Sequence, residues 1–393
     1  MHIVHVITRL IVGGAQENTI ASALGLKQKA DVRVSLISGP ASGPEGSLQD
    51  VFAEHPGLLM IVPALVRPIH PWNDFLVLRR LRKIFREQKP DIVHTHSGKA
   101  GVLGRLAAAR AGVPIIVHTI HGPSFGPFQG AIANALFRRA ELVAGRVTTH
   151  FVTVADAMRD QYLAAGIGRP QQYTTVYSGF DLEPFLTAKN DPDLRARFGI
   201  GVEDVVVGKI ARLFKLKGHD DLMDVAPEVV RNFPKIKFLL VGDGNLRSRL
   251  EARARALGLE RQFIFTGLVQ PGQVAQLVGI MDMVIHLSAR EGLARALPQA
   301  LAAAKPVIAY DCDGAREVCI RDETGFLLRR GDKQGLSDSL VRLAKDSGMR
   351  RRLGTRGQGF VKERFAVERM VEDLYALYKR LAAERPGLAA LSH

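Results

Sequence analysis

Cysteine occurs only twice in 393 residues, at Cys312 and Cys319. Two cysteines exclude a disulfide framework and a Cys-rich zinc site. Long apolar runs are missing as well. No stretch reaches the roughly 18 residues that a bilayer span requires. The opening MHIVHVITRL has neither a basic n-region nor a cleavage site, so it reads as a strand rather than a signal peptide. No nucleic-acid motif is present, and the G-x-G-x-x-G spacing of a dinucleotide fold is absent. The cytosol is the default compartment on these grounds.

What is present describes a soluble globular chain, 47% hydrophobic and 24% charged. Its length exceeds one ordinary core and predicts two domains. The formal charge of +15 is spread over both halves: residues 1–190 carry 20 Lys+Arg against 13 Asp+Glu, and the rest 34 against 26. An excess so distributed points to anionic ligands or an anionic membrane surface.

The stretch VIHLSAREGLARALPQALAAAKPVIA, Val284 to Ala309, organises the chain. An apolar run reads as a buried strand, Ser288 to Gly292 as a turn, and the Ala/Leu-rich segment as a helix. Lys305-Pro306 ends that helix before a second strand. This is a βαβ unit of a parallel sheet. Pro298 fits only the first helical turn, so the helix opens between Leu293 and Pro298. Its start is an anion site at whose mouth Glu291 and Gln299 stand.

Strand–turn–helix segments recur on both sides of this unit. Residues 2–8 form a strand, and Gly13-Gly14 turns into a helix from about Ala15. That turn either connects the two elements or lets a ligand approach the backbone. Residues 32–37 form the second strand, followed by a Gly/Pro/Ser loop from Ser38 to Ser47. The helix over 73–89 has Leu78, Leu81 and Phe85 on one side and Arg79, Arg80, Arg82, Lys83 and Arg86 around the others. A solvated basic face is the favoured reading on periodicity; an interfacial helix on anionic lipid is the alternative. His94 and His96 share one face of a strand, but a metal would need a third ligand and none is evident nearby.

Strand 113–119 follows. His121 lies just past its carboxyl end, where open α/β sheets gather ligands. A loop histidine bonded to backbone is the equal alternative. Strands over 151–154 and 172–178 complete the first half. Residues 179–203 lack strand periodicity and contain Pro184 and Pro192, which suggests a linker. In the second half, Arg212 and Lys217 both follow a strand's carboxyl end. With the helix start near Leu293 they make a pocket for a diphosphate.

The motifs SAREG…QALAAAKPVIAYD and GKIARLFKLKGHDDLM resemble those of the retaining, nucleotide-sugar-dependent glycosyltransferases of family 4. GGAQ, DIVHTHS, HTIHG, VGDGNLR and FTGLV extend the resemblance over nearly the whole chain. It implies an α/β protein of GT-B architecture, two Rossmann-like parallel-sheet domains facing across a cleft. Residues 1–178 would form the acceptor-side domain, 179–203 the linker and 204–365 the nucleotide-sugar domain. Residues 366–393 would be a helix crossing back, with a tail.

By the same resemblance, Arg212 and Lys217 hold the donor diphosphate, and Glu291 contacts the transferred sugar. The Gly292-Leu293 backbone faces sugar and phosphate, while Gly267 to Val269 frame the base. His121 lies beside sugar and acceptor, and Gly13-Gly14 close over the phosphates. No metal or other cofactor is expected, because Arg and Lys neutralise the leaving group; Asp311-Cys312-Asp313 follows the wrong strand for a metal motif.

The implied activity transfers a hexose-type sugar from a nucleotide-diphosphate-sugar to a glycan or lipid-linked acceptor in surface polysaccharide or glycolipid synthesis. The implied place is the cytoplasm, with peripheral contact to the inner face of an anionic membrane left open. A silent nucleotide-sugar-binding subunit and a GT-B epimerase are the alternatives. Two residues depart from the family pattern. Gln299 stands where a ribose-binding Glu is usual, and Ala294 where a Gly is usual.

Overall fold

The computed structural model of the chain describes residues 1–41, 46–126 and 128–384. Part of the loop expected from Ser38 to Ser47, at 42–45, and the tail from 385 lie outside the described residues. The chain forms two compact units, Met1–Phe180 together with Val367–His393, and Asp181–Ala366.

The first unit alternates strands and helices as β1 (His2–Ile7), α1 (Gly14–Lys27), β2 (Arg33–Ser38), β3 (Leu59–Ile61), α2 (Pro71–Gln88) and β4 (Ile92–His96). It continues with α3 (Gly98–Ala111), β5 (Ile115–Ile120), α4 (Ala131–Gly145), β6 (His150–Thr153), α5 (Asp156–Ala164) and β7 (Tyr173–Thr175). The sheet order is β3-β2-β1-β4-β5-β6-β7, with every pairing parallel. All residues of β1, β4 and β5 are buried. Helices cover both faces of such a sheet, so its central strands show no in–out alternation.

The second unit opens with α6 (Glu183–Leu186) and α7 (Pro192–Arg197), then runs β8 (Val205–Ile210), α8 (His219–Asn232), β9 (Ile236–Val241), α9 (Arg247–Ala256) and β10 (Phe263–Gly267). Next come α10 (Val274–Gly279), β11 (Met283–His286), α11 (Ala296–Ala302), β12 (Val307–Tyr310), β13 (Gly325–Leu328), α12 (Lys333–Lys345) and α13 (Ser347–Arg364). Its order, β10-β9-β8-β11-β12-β13, repeats the first unit's logic. Chain direction across the sheet reverses between β1 and β4 and again between β8 and β11. Those switch points open crevices at the strands' carboxyl ends. The last helix, α14 (Val367–Ala383), belongs to the first unit. Its Met370, Val371, Leu374, Leu377 and Tyr378 join the core beside α1.

Of residues 179–203, read as linker, 179–180 belong to the first unit and 181–203 to the second. Pro184 and Pro192 sit in the first turns of α6 and α7, where a missing N–H costs nothing. Arg195 of α7 is 5% exposed, and its guanidinium donates to the carbonyls of Gly201, Asp204 and Ile280. These bonds tie the segment to the sheet. Among the strands, the one read over 172–178 is shorter, running only from Tyr173 to Thr175.

Helix α2 buries Val77, Leu81, Ile84 and Phe85, while Leu78, expected with them, is half-buried. At its start, Ile69, Trp72, Phe75 and Leu76 are exposed by 59%, 64%, 46% and 39%. Arg79, Arg80 and Lys83 follow on the exposed surface. On α4, Ile132 and Leu136 are exposed near Arg138 and Arg139. Between α3 and α4, Arg105 donates to Glu141 at 2.6 Å, both groups sealed from solvent. No helix among the described residues is long and apolar enough to cross a membrane.

Candidate functional site

The β8/β11 switch point gathers the charged residues that the sequence singled out. After β8, the loop from Arg212 to Gly218 carries the chain into α8. Leu216 and Gly218 both have positive φ there, 70° and 67°. A Cβ on Gly218 would stand 2.2 Å from the Leu287 carbonyl oxygen, so glycine is required for this loop to lie against the end of β11. Ala289 N–H donates to the Leu216 carbonyl at 2.7 Å and locks the two loops together. The VGDGNLR motif supports the same loop. Gly244 (φ 157°) has the Leu213 oxygen 2.5 Å from where its Cβ would be, and Leu213 N–H donates to Asp243 O at 2.8 Å.

Lys217 is thereby aimed at Glu291, and the two form a hydrogen-bonded ion pair. Ser288 Oγ donates to the same carboxylate at 3.1 Å, and His286 Nε2 lies 3.9 Å away. The Glu291 backbone N–H donates to Asp313 Oδ2 at 2.7 Å, and Gly292 O accepts from Gly314 N–H at 3.0 Å. Burial would raise the Glu291 carboxyl, but the Lys217 charge, with the bonds from Lys217 and Ser288, outweighs it. The group is held below its ordinary range and stays ionised. An ammonium has three donors, so Lys217 can hold Glu291 and an incoming anion at once. Arg212 is exposed, its guanidinium 5.2 Å from the Phe214 ring centroid.

Helix α11 starts at Ala296, with Pro298 in its first turn. It has only seven residues, so side chains rather than a long helix dipole supply most of the positive field. Leu293 and Ala294 are buried beneath the turn. Gln299 is half-buried, and its side chain makes no hydrogen bond among the described residues. Gly267 has φ 75°, and its carbonyl accepts from Gly242 N–H at 3.1 Å; Val269 follows, half-buried.

Three groups here escaped sequence reasoning. Lys209 on β8 is 2% exposed and its Nζ has no partner among the described residues; burial, with Lys217 adding repulsion, lowers it to about 7. His286 Nε2 is likewise buried with no hydrogen-bond partner among the described residues, and burial takes the ring to about 3. Asp313, dismissed with the Asp-x-Asp letters, holds the Glu291 turn.

In the first unit, Gly13 precedes α1 with its carbonyl accepting from Glu17 N–H, and Gly14 begins that helix. His121 follows β5 and is bonded not to backbone but to another imidazole, its Nε2 lying 3.0 Å from His96 Nδ1. The pairing of β1 with β4 sets His5 opposite His94. It supplies the third histidine that the sequence did not reveal beside His94 and His96. The three rings offer ligand atoms within 4.8 Å of one another. Five of their six nitrogens are nonetheless committed. His5 Nδ1 meets His96 Nε2 at 2.9 Å, His94 meets Tyr378 Oη at 2.5 Å and Thr119 Oγ1 at 2.6 Å, and His96 Nδ1 meets His121. A cation would have to break these bonds, so the cluster fits a hydrogen-bonded network better than a metal cage. Burial holds all four rings neutral, His5 and His121 at about 3.

Comparison with known proteins gives the same outline. Residues 190–360 match the family described as Glycosyl transferases group 1, and residues 12–184 match Glycosyltransferase Family 4. An Escherichia coli UDP-Gal:alpha-D-GlcNAc-diphosphoundecaprenol alpha-1,3-galactosyltransferase is 28% identical over 72% of this chain and 74% of its own. A GDP-mannose-dependent alpha-mannosyltransferase of Mycobacterium tuberculosis is 28% identical over 68% of each chain. The crystal structure of Anabaena HepE in complex with UDP superposes with a TM-score of 0.80 at 23% identity, covering 97% of this chain and 100% of that one. A sucrose-phosphate synthase from Thermosynechococcus elongatus does so at 0.79 and 18%, covering 98% and 100%. These superpositions show the fold.

Proposed function

Because the chain belongs to the group 1, family 4 glycosyltransferases, we propose that it is a retaining, metal-independent hexosyltransferase. It takes a nucleoside-diphosphate sugar and loads a glycan or lipid-linked acceptor in surface polysaccharide or glycolipid synthesis. The observation that carries this reading is the Lys217–Glu291–Ser288 cluster at the switch point of the second unit.

Arg212 and Lys217 hold the diphosphate and neutralise the charge that builds on it as the glycosidic bond breaks. The ionised Glu291 accepts hydrogen bonds from hydroxyls of the transferred sugar, and the Gly292-Leu293 backbone follows it along sugar and phosphate. Gly267 and Val269 border the base; the family resemblance assigns Gly13 and Gly14 of the first unit to the phosphates and His121 to sugar and acceptor. With two cations placed for the leaving group, no divalent ion is needed.

The diphosphoundecaprenol in the name of the E. coli relative favours a lipid-linked acceptor and a protein working at the inner membrane face. Exposed Trp72, Phe75 and Leu76 beside Arg79 and Arg80 suit such an interface. Trp72 is the chain's sole tryptophan, so its fluorescence reports contact directly. A blue shift with anionic vesicles and none with neutral ones is the expected result.

Gln299 offers a neutral acceptor to a ribose hydroxyl. Gln299→Ala is expected to lower donor affinity by roughly 0.5–1.5 kcal/mol, the net value of such a bond. Gln299→Glu raises it modestly through charge assistance. Equal calorimetric affinity for all three proteins would remove Gln299 from the site.

The test of the function is nucleoside-diphosphate release in the presence of acceptor, with the anomeric configuration of the product read by NMR. Release undiminished by excess EDTA and retention of configuration are expected. Loss of activity with EDTA and rescue by magnesium, or inversion, would overturn the mechanism.

A further inference from the structure

Three imidazoles of the first unit form a continuous hydrogen-bonded chain. His5 Nδ1 lies 2.9 Å from His96 Nε2, and His96 Nδ1 lies 3.0 Å from His121 Nε2. His5 and His96 are 0% and 1% exposed, on the central strands β1 and β4, whereas His121 is only half-buried in the loop after β5. A neutral imidazole has one N–H and one lone pair. The three protons are therefore linked, and only two arrangements keep both bonds.

In one, His121 donates to His96 and His96 to His5, which leaves a proton on His5 Nε2. In the other, His5 donates to His96 and His96 to His121, which leaves a bare lone pair on His5 Nε2. That atom is buried and has no partner among the described residues. A buried N–H without an acceptor is the rarer and costlier defect, so the second arrangement is favoured. Protonating the chain instead would place a charge on or against the buried rings of His5 and His96, which burial opposes.

We infer that the chain is polarised outward, from His5 through His96, so that His121 always meets its ligand as an Nδ1–H donor. His121 Nε2 is occupied as the acceptor of the His96 proton. His121 Nδ1 makes no bond among the described residues. On the reading of His121 as the residue beside the sugar, it donates to a ligand oxygen and does not remove a proton. His96 and His5 act through it as positioning residues. His94 lies stacked on His96 at 4.3 Å between centroids, and it is held from Tyr378 and Thr119, which keeps the His96 ring from swinging out of line.

The test reads ring nitrogens in the full chain labelled with 15N-histidine, signals being assigned by single-histidine replacement. Wild-type His5, His96 and His121 are each expected to carry the proton on Nδ1. In His96→Phe, His121 should lose that restriction and show Nε2–H. Its kcat should fall by up to about tenfold, the reach of one neutral hydrogen bond, with donor KM little changed. His96→Gln restores a donor and should restore both readouts. Should His96→Phe not fold, His5→Phe serves, with His121 expected as a mixture of tautomers.

Nε2–H on wild-type His121 would overturn the inference, as would a tautomer indifferent to His96, or zinc-shifted nitrogens on His5, His94 and His96. The expected tautomers with unchanged kcat in His96→Phe would remove the positioning role. The nitrogen signals do not depend on turnover, so a protein that transfers no sugar would refute the function and leave this measurement decisive for the chain.

Discussion

Lys217→Ala is expected to weaken nucleoside-diphosphate binding by about 1.5–3 kcal/mol, the worth of a hydrogen bond to a charged group. The effect should not stop at the ligand. Lys217 is the partner that holds Glu291 ionised in a buried turn. Without it, burial dominates and the carboxyl rises. The sign follows from linkage. A carboxyl depressed in the folded protein contributes its stabilisation above its ordinary range near 4.5, and loses it as pH falls through the folded value. In the variant that depression is lost, so the acidic limb of the pH–activity profile should move to higher pH. Calorimetry and a pH–rate series check both parts. Unchanged affinity together with an unmoved acidic limb would disconnect Lys217 from ligand and from Glu291.

The second large effect is on stability. Glu141→Ala leaves the Arg105 guanidinium, 0% exposed, without its carboxylate. Removing one partner of a buried pair costs about 3–5 kcal/mol, because an uncompensated charge remains inside. Arg105 keeps bonds to Gly101 O and Thr148 Oγ1, which soften the loss. Replacing both partners, as in Arg105→Met with Glu141→Leu, should recover most of it, since the desolvation of both ions disappears. Urea unfolding of the first unit measures the difference. A loss below about 1 kcal/mol for Glu141→Ala would mean that water reaches Arg105.

Much of this architecture was legible because parallel sheets write themselves as short apolar runs separated by turn residues. Val205–Ile210, Lys237–Val241 and Val307–Tyr310 stand out in that way. Strand β3, of three residues, is too short to carry a period. Pro184 and Pro192 misled because proline looks the same in a linker and in a first helical turn. The charged half of the candidate site was visible since Arg212, Lys217, Ser288 and Glu291 lie in two continuous motifs. What bonds them across the fold was not visible. The third histidine depends on the register of β1 against β4, and the Asp313 bond to the Glu291 N–H spans 22 residues. Neither leaves a local pattern. The exposed Trp72 surface went unseen for the opposite reason, as periodicity locates the buried face of a helix and says little of a first turn left uncovered.

The central claim is that the loops after β8 and β11 bind the diphosphate of a nucleotide sugar through Arg212 and Lys217. Calorimetry with UDP, GDP and ADP in excess EDTA tests it most directly, on the wild type and on the Arg212→Ala/Lys217→Ala double variant. One of the three nucleotides should bind the wild type without metal and bind the double variant about a hundredfold more weakly or worse, as two charge-assisted bonds are lost. Equal affinity for both proteins, or binding that appears only when magnesium is added, would contradict the account.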